Sequence, residues 1–289
     1  GSAEKIGLYF GMPAFIVGVT IVAIGTSLPE LVSSIFAVFK GASEMVVGNV
    51  IGSNIANIFL ILGLAAVFGR KLKTKFEILH VDLPILVASA FLFAAMIWDK
   101  NFTTGEALLM IVGLIAYFFY TVNPTRNKSR AIENNLRKKG KLEVKTVVIL
   151  FVSAFFIYLG ARYTIDSVIE ISKMLNVGVE LIAVSAVALG TSLPELVVSI
   201  TAARQGKEEI AIGNVLGSNI FNTFAVMGIP ALFGSLIIPQ GIIMFALPMM
   251  IIATLLFFFM MQEKVITRWE GYVLLLFYVF FIGKLFNLL

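Results

Sequence analysis

Long apolar runs separated by short polar clusters dominate the chain. A membrane span takes about 20 mostly apolar residues. By that measure the pattern predicts nine spanning helices, roughly at 12–39, 45–68, 79–98, 103–123, 144–166, 178–203, 209–233, 237–261 and 266–288. The charges collect between these runs. The longest polar stretch, Asn123 to Lys145, holds eight Lys/Arg. The expected fold class is all-α, a polytopic transmembrane helix bundle.

The loop charges orient that bundle. If the basic stretch lies in the cytoplasm and the spans alternate, Lys5, the Arg70/Lys71/Lys73/Lys75 cluster, Arg204, Lys207, Lys264 and Arg268 fall on the same side. That side then carries 17 of the 22 basic residues, the bias that the positive-inside rule describes. The expected location is the cell membrane, multi-pass, with the 123–145 loop cytoplasmic. Composition agrees: 59% of the 289 residues are hydrophobic and 13% charged, against about 45–50% and about 25% in soluble domains. A soluble enzyme or nucleic-acid module is excluded, and the lipid bilayer is the first partner. The chain has no cysteine and one histidine (His80), so thiolate or His-based metal chemistry has no basis. No HExxH and no buried Ser–His or paired-Asp constellation is visible, so the chain is not read as an enzyme, and no resident cofactor is expected.

The sequence contains one pattern twice. GTSLPEL occupies 25–31 and again 190–196. GNVIGSNIAN at 48–57 returns as GNVLGSNIFN at 213–222, at the same offset of 165. Two matches at one offset mark a duplication. On the charge-based topology the first GTSLPEL helix runs outward and the second inward, so the halves are inverted repeats, a transporter plan with its site at the repeat interface. The division expected is 1–122, a linker at 123–145, and 146–289. A full helix precedes the second motif helix, whereas only about eleven residues precede the first. Five helices per half would make ten, which leads to the expectation of one further helix ahead of this chain.

Glu30 and Glu195 stand in the middle of apolar spans. A charge there costs several kcal/mol unless it meets water, a cation or a partner, and no Lys or Arg lies at comparable depth. Two carboxylates without a protein cation ask for an external one. Pro29 and Pro194 precede them and cannot donate to the carbonyl four residues back, at Gly25 or Gly190, so backbone oxygens around Thr26 and Thr191 come free. Asn49, Ser53 and Asn57 share one helix face at a spacing of four, as do Asn214, Ser218 and Asn222. Asn49 and Asn214 could equally serve as interhelical hydrogen-bonding groups. Ser53, Asn57, Ser218 and Asn222 are read as coordinating or solvating the site. Carboxylate, carbonyl, amide and hydroxyl oxygens suit calcium and alkali cations.

At these residues the sequence resembles the sodium/calcium exchanger family of the calcium:cation antiporter superfamily, in its prokaryotic and archaeal type. GTSLPE at 25–30 and 190–195 is similar to the first part of the family's two repeats, and the two GNV…N blocks to the second. The resemblance implies ten helices in two inverted sets of five with both termini outside. It implies exchange of Ca2+ for Na+ by alternating access, with Glu30 and Glu195 binding calcium beside backbone oxygens of Thr26 and Thr191. It implies that Ser27, Ser53, Ser192, Ser218 and the carbonyls of Ala23 and Ala188 form flanking sodium sites, with Asn57 and Asn222 central. Some archaeal relatives carry aspartate where this chain has Asn222, so two carboxylates remain here. The expected transport unit is a monomer with no nucleic-acid partner. The alternatives are the same fold coupled to H+ or K+, and then a cation channel.

Overall fold

In the computed structural model the described residues are 12–122, 144–175 and 178–289; most of the basic linker, Lys5 and the other N-terminal positions fall outside them. Among the described residues there are nine helical units: α1 (Ala14–Phe39), α2 (Glu44–Gly69), α3 (Asp82–Ile97), α4 (Thr104–Val122), α5 (Val144–Leu175), α6 (Val179–Thr191 with Leu193–Arg204), α7 (Glu208–Leu232), α8 (Ile242–Glu263) and α9 (Arg268–Leu285). Five are long and apolar enough to cross a bilayer, and α6 makes a sixth if its two bent segments form one span. The chain is a multi-pass membrane protein. The fifth helix runs nine residues past its expected end, because the Asp166/Glu170/Lys173 polar turns continue it instead of stopping it.

Among the described residues four short strands, not legible as apolar runs, tie the loops together. β1 (Lys71–Lys73) pairs antiparallel with β4 (Val265–Thr267), and β2 (Asn101–Phe102) with β3 (Leu236–Ile237). The β1–β4 pair joins the α2–α3 and α8–α9 loops; the other joins α3–α4 to α7–α8. Further loop contacts obey the same partition. Lys264 pairs with Glu77, and Glu209 Oε1 accepts from the amides of Lys75 (2.7 Å) and Phe76 (3.2 Å). On the opposite face Lys40 pairs with Asp166, and Ile237 N–H donates to Ser43 Oγ. Each contact links loops, or a loop and the outer turns of a helix, whose ends lie an even number of spans apart, as strict alternation requires.

The two halves repeat one another in detail. Both motif helices carry a π turn, Gly18–Val22 and Ala183–Val187, followed by a break at Ser27 or Ser192 with φ/ψ near −85°/6° and −83°/7°. Beyond the motif helices the offset shortens to 164, as in Pro84/Pro248 and the Thr103/Glu106 and Thr267/Glu270 helix starts. The core is the crossing of α1 with α7 and of α2 with α6. Glycine makes these crossings possible: a Cβ on Gly52 would stand 2.3 Å from Val184 O, and one on Gly217 2.4 Å from Val19 O. Small residues at such contacts let backbones approach and pack where no hydrophobic force drives helices together. The fold is a mostly helical membrane bundle of inverted repeats.

Candidate functional site

The break in each motif helix places a carboxylate at the crossing. Pro29 and Pro194 sit at the second residue of the second segment, where the missing N–H is tolerated. Glu30 and Glu195 fall in the first turn of that segment and are both 0% exposed. The Ser192 hydroxyl donates to Glu30 Oε1 at 2.9 Å, and the Ser27 hydroxyl donates to Glu195 Oε1 at 2.9 Å. Each carboxylate is therefore held by the broken turn of the other half. This exchange brings the two acids into Coulombic range of one another. Among the described residues no Lys or Arg is buried, so none of the described cations neutralises them.

One oxygen of each acid is accounted for and one is not. Glu30 Oε2 and Glu195 Oε2 are buried without a hydrogen-bond partner among the described residues. Asn57 Oδ1 and both polar atoms of Asn222 share that condition, and both side chains are fully buried. Buried polar atoms are nearly always paired in native structures. Here both carboxylates are among the exceptions, and the unpaired atoms are mostly oxygens, the donor type that hard cations take.

The remaining expected residues divide into three groups. Asn49 and Asn214 are structural ties. Asn49 Nδ2 donates to Glu30 O (3.3 Å) and Ser34 Oγ (3.1 Å), and its Oδ1 accepts from Thr191 Oγ1 (3.4 Å). Asn214 repeats this with Glu195 O (3.4 Å), Ser199 Oγ (3.0 Å) and Thr26 Oγ1 (3.2 Å). Ser218 Oγ reaches Glu195 Oε1 at 3.5 Å, while Ser53 Oγ turns to Asn49 Oδ1 at the same distance. The carbonyls of Ala23 and Ala188 each accept the backbone N–H of the break serine (3.0 and 3.1 Å) and lie 3.3 Å from the Thr26 or Thr191 hydroxyl. An ion on those carbonyls shares them with a donor already present. Sequence reasoning missed Asn54 and Asn219. Asn57 Nδ2 donates to Asn219 Oδ1 (3.0 Å), and Asn54 Nδ2 donates to Thr223 Oγ1 (3.0 Å). They stood inside the repeated GSN block, and that second copy was their signal.

A cavity of about 240 Å³ reaches this region between α1, α5 and α6. Pro29, Ser33, Thr164 and Thr191 are among its lining residues. Ser33 is 2% exposed and its hydroxyl has no partner among the described residues.

The family model for "Sodium/calcium exchanger protein" matches residues 1–123 and 145–286. The chain is 37% identical to the sodium/calcium exchanger MaX1 of Methanosarcina acetivorans, over 99% of this chain and 92% of that protein. It is 31% identical to the inner membrane protein YrbG of Escherichia coli, over 77% and 70%. Among solved structures, the sodium-calcium exchanger NCX_Mj soaked with 2.5 mM Na+ and 0.1 mM Ca2+ superposes with a TM-score of 0.73 at 28% identity, covering 98% of this chain and 90% of that one. With both motif blocks, the inverted fold and matches over nearly the whole chain in agreement, this protein belongs to the sodium/calcium exchanger family.

Proposed function

We propose that this protein exchanges Ca2+ for Na+ across the cell membrane, and that the two ions compete for oxygens held between Glu30 and Glu195. The observation that carries the reading is the reciprocal Ser27–Glu195 and Ser192–Glu30 bonding, which leaves one free oxygen on each of two fully buried acids. Two uncompensated carboxylates at such depth cost several kcal/mol. One Ca2+ or two Na+ offset their charge. Thr26, Thr191, Ser53, Ser218, Asn57 and Asn222 supply neutral oxygens around them, and Ser27, Ser192, Ala23 and Ala188 edge the site. Sharing of ligands makes occupancy by one ion exclude the other, which is the physical requirement for exchange.

Family membership supports Ca2+/cation antiport in general; the choice of sodium is our reading, and the MaX1 and NCX_Mj likenesses favour it. The broken, π-turned motif helices, with small-residue crossings between halves, suit a rearrangement that opens the site to each side alternately. The 17-to-5 charge count supports placing the β1–β4 face in the cytoplasm; the transport unit we propose is the monomer. Ca2+ uptake into proteoliposomes under imposed Na+, H+ and K+ gradients tests the coupling ion. Uptake driven by outward-directed Na+ alone is expected. Uptake that follows the H+ or K+ gradient and ignores Na+ overturns sodium coupling, and steady unitary currents in a planar bilayer overturn exchange.

A further inference from the structure

The inverted repeat allows a feature of one half to be compared with its counterpart in the other. Between α3 and α4 lies a cleft of about 610 Å³. Ile85, Ala88 and Leu92 form one wall, Gly113 and Ala116 the other, and the ring of Phe224 the floor. At the 164 offset, Ala88 corresponds to Ile252, Gly113 to Phe277 and Ala116 to Phe280; Phe224, at 165, corresponds to Phe59. In the second half the Phe277 ring stacks on Phe59 at 5.3 Å. In the first half the buried Phe224 ring packs against Gly113, where even a Cβ would stand 3.1 Å from it. Three bulky side chains, two of them exposed, stand at the counterpart positions, and three small ones line this cleft. The small lining is therefore a property of this half and not of the fold.

The medium against it is lipid. α4 is the least buried of the five long spans, at 28%, and Val112, Ile115 and Phe119 beside the cleft are exposed. The polar end is formed by Tyr117 and Tyr120, and Tyr117 donates to the buried Asp82 at 3.0 Å. The loop that enters the cleft at Val81 carries Arg70, Lys71, Lys73 and Lys75, all exposed. Its counterpart, residues 234–241, carries no basic residue. The first half thus has small side chains along the cleft and cations in the loop before it, whereas the counterpart positions hold bulky side chains and the counterpart loop no cation. Basic groups at the edge of clefts between spanning helices bind lipid head groups.

We infer that the α3–α4 cleft is a binding site for one phospholipid, its acyl chain lying on Phe224 and its phosphate beside the basic 70–75 segment. Phe224 follows Asn222 by two residues on the π-turned part of α7, so the lipid braces the helix that carries the central asparagine. The ion reading and this one fail separately, because the test measures lipid contact. The full chain is reconstituted with a phosphatidylcholine bearing a photoreactive group on its acyl chain, and crosslinked peptides are mapped by mass spectrometry. Labelling of 85–92 and 113–120 about fivefold above 249–256 and 277–284 is expected, the scale of one good packing interaction in a membrane. Ala88→Ile with Ala116→Phe copies the second half and should bring the two regions level. Both positions are exposed, and Ala116→Phe alone serves if the pair does not fold. Equal labelling of both regions in the wild type, labelling untouched by these substitutions, or crosslinks joining α4 of two copies would each overturn the inference.

Discussion

The halves agree most closely where they meet and least where they face outward. Around the carboxylates three pairs of hydrogen bonds repeat, with lengths differing by about 0.2 Å or less: Ser27–Glu195 with Ser192–Glu30, Asn49–Ser34 with Asn214–Ser199, Thr26–Asn214 with Thr191–Asn49; Ser53 and Ser218, and Asn57 and Asn222, differ in their partners. Toward the periphery the copies part. Glu209 accepts from two loop amides, while its counterpart Glu44 has a buried oxygen without a partner among the described residues. Ser33 lines a cavity where Val198 packs against the core. Ala88, Gly113 and Ala116 line the α3–α4 cleft where α8 and α9 carry Ile252, Phe277 and Phe280. A site offered to both sides of a membrane needs two equivalent walls; the outer shell answers to two different surfaces.

This contrast can be broken at several strengths. Glu30→Gln and Glu195→Gln each remove one of two charges in a buried site. We expect each to lower Ca2+ affinity by about a hundredfold to a thousandfold, measured by calorimetric Ca2+ titration. Near-wild-type affinity in either would remove that acid from the site. Next come Gly52→Ala and Gly217→Ala, whose new methyl groups meet backbone oxygens at 2.3 and 2.4 Å. Backbone cannot rotate away as a side chain does, so a loss of about 3 kcal/mol is expected for each, read as lowered melting temperature in detergent. Ser27→Ala and Ser192→Ala each delete one hydrogen bond to an acid, worth about 1.5–3 kcal/mol. Their melting temperatures should fall together, and unequal falls would show that the symmetry is geometric but not energetic.

The weakest test lies outside the membrane. The Lys264 hydrogen bond holds Glu77 below its usual 4.5. A lowered acid stabilises the fold above its unfolded value, and that contribution is lost as pH falls through the folded one. Glu77 is about half exposed, so less than about 1 kcal/mol is involved. Wild type should melt slightly above Glu77→Gln at neutral pH, and the gap should close in acid below about pH 4.

Much of this was legible in the chain. Nine apolar runs became nine helical units among the described residues, because backbone in lipid must satisfy itself within the helix. Glu30 and Glu195 were visible as charges without partners, and the duplicated blocks made them a pair. Reading one helix at a time could not show that Ser27 serves the opposite acid, since that bond spans 168 residues. The π turns left no trace in composition. The roles of Asn49 and Asn214 stayed open because a buried amide can bind an ion or a neighbour equally well. Only the closeness of Glu30 O and Thr191 settles them as ties between helices. The cleft at Gly113 was invisible because a small lipid-facing residue and a small packed one read alike.

The account turns on Glu30 and Glu195 sharing one ion. Anomalous diffraction from crystals soaked in a heavier divalent analogue of calcium, at low and then high Na+, examines this directly. A single peak between the free oxygens of the two acids, fading as Na+ rises, is the expected result. A divalent ion bound elsewhere, or one indifferent to Na+, would contradict it.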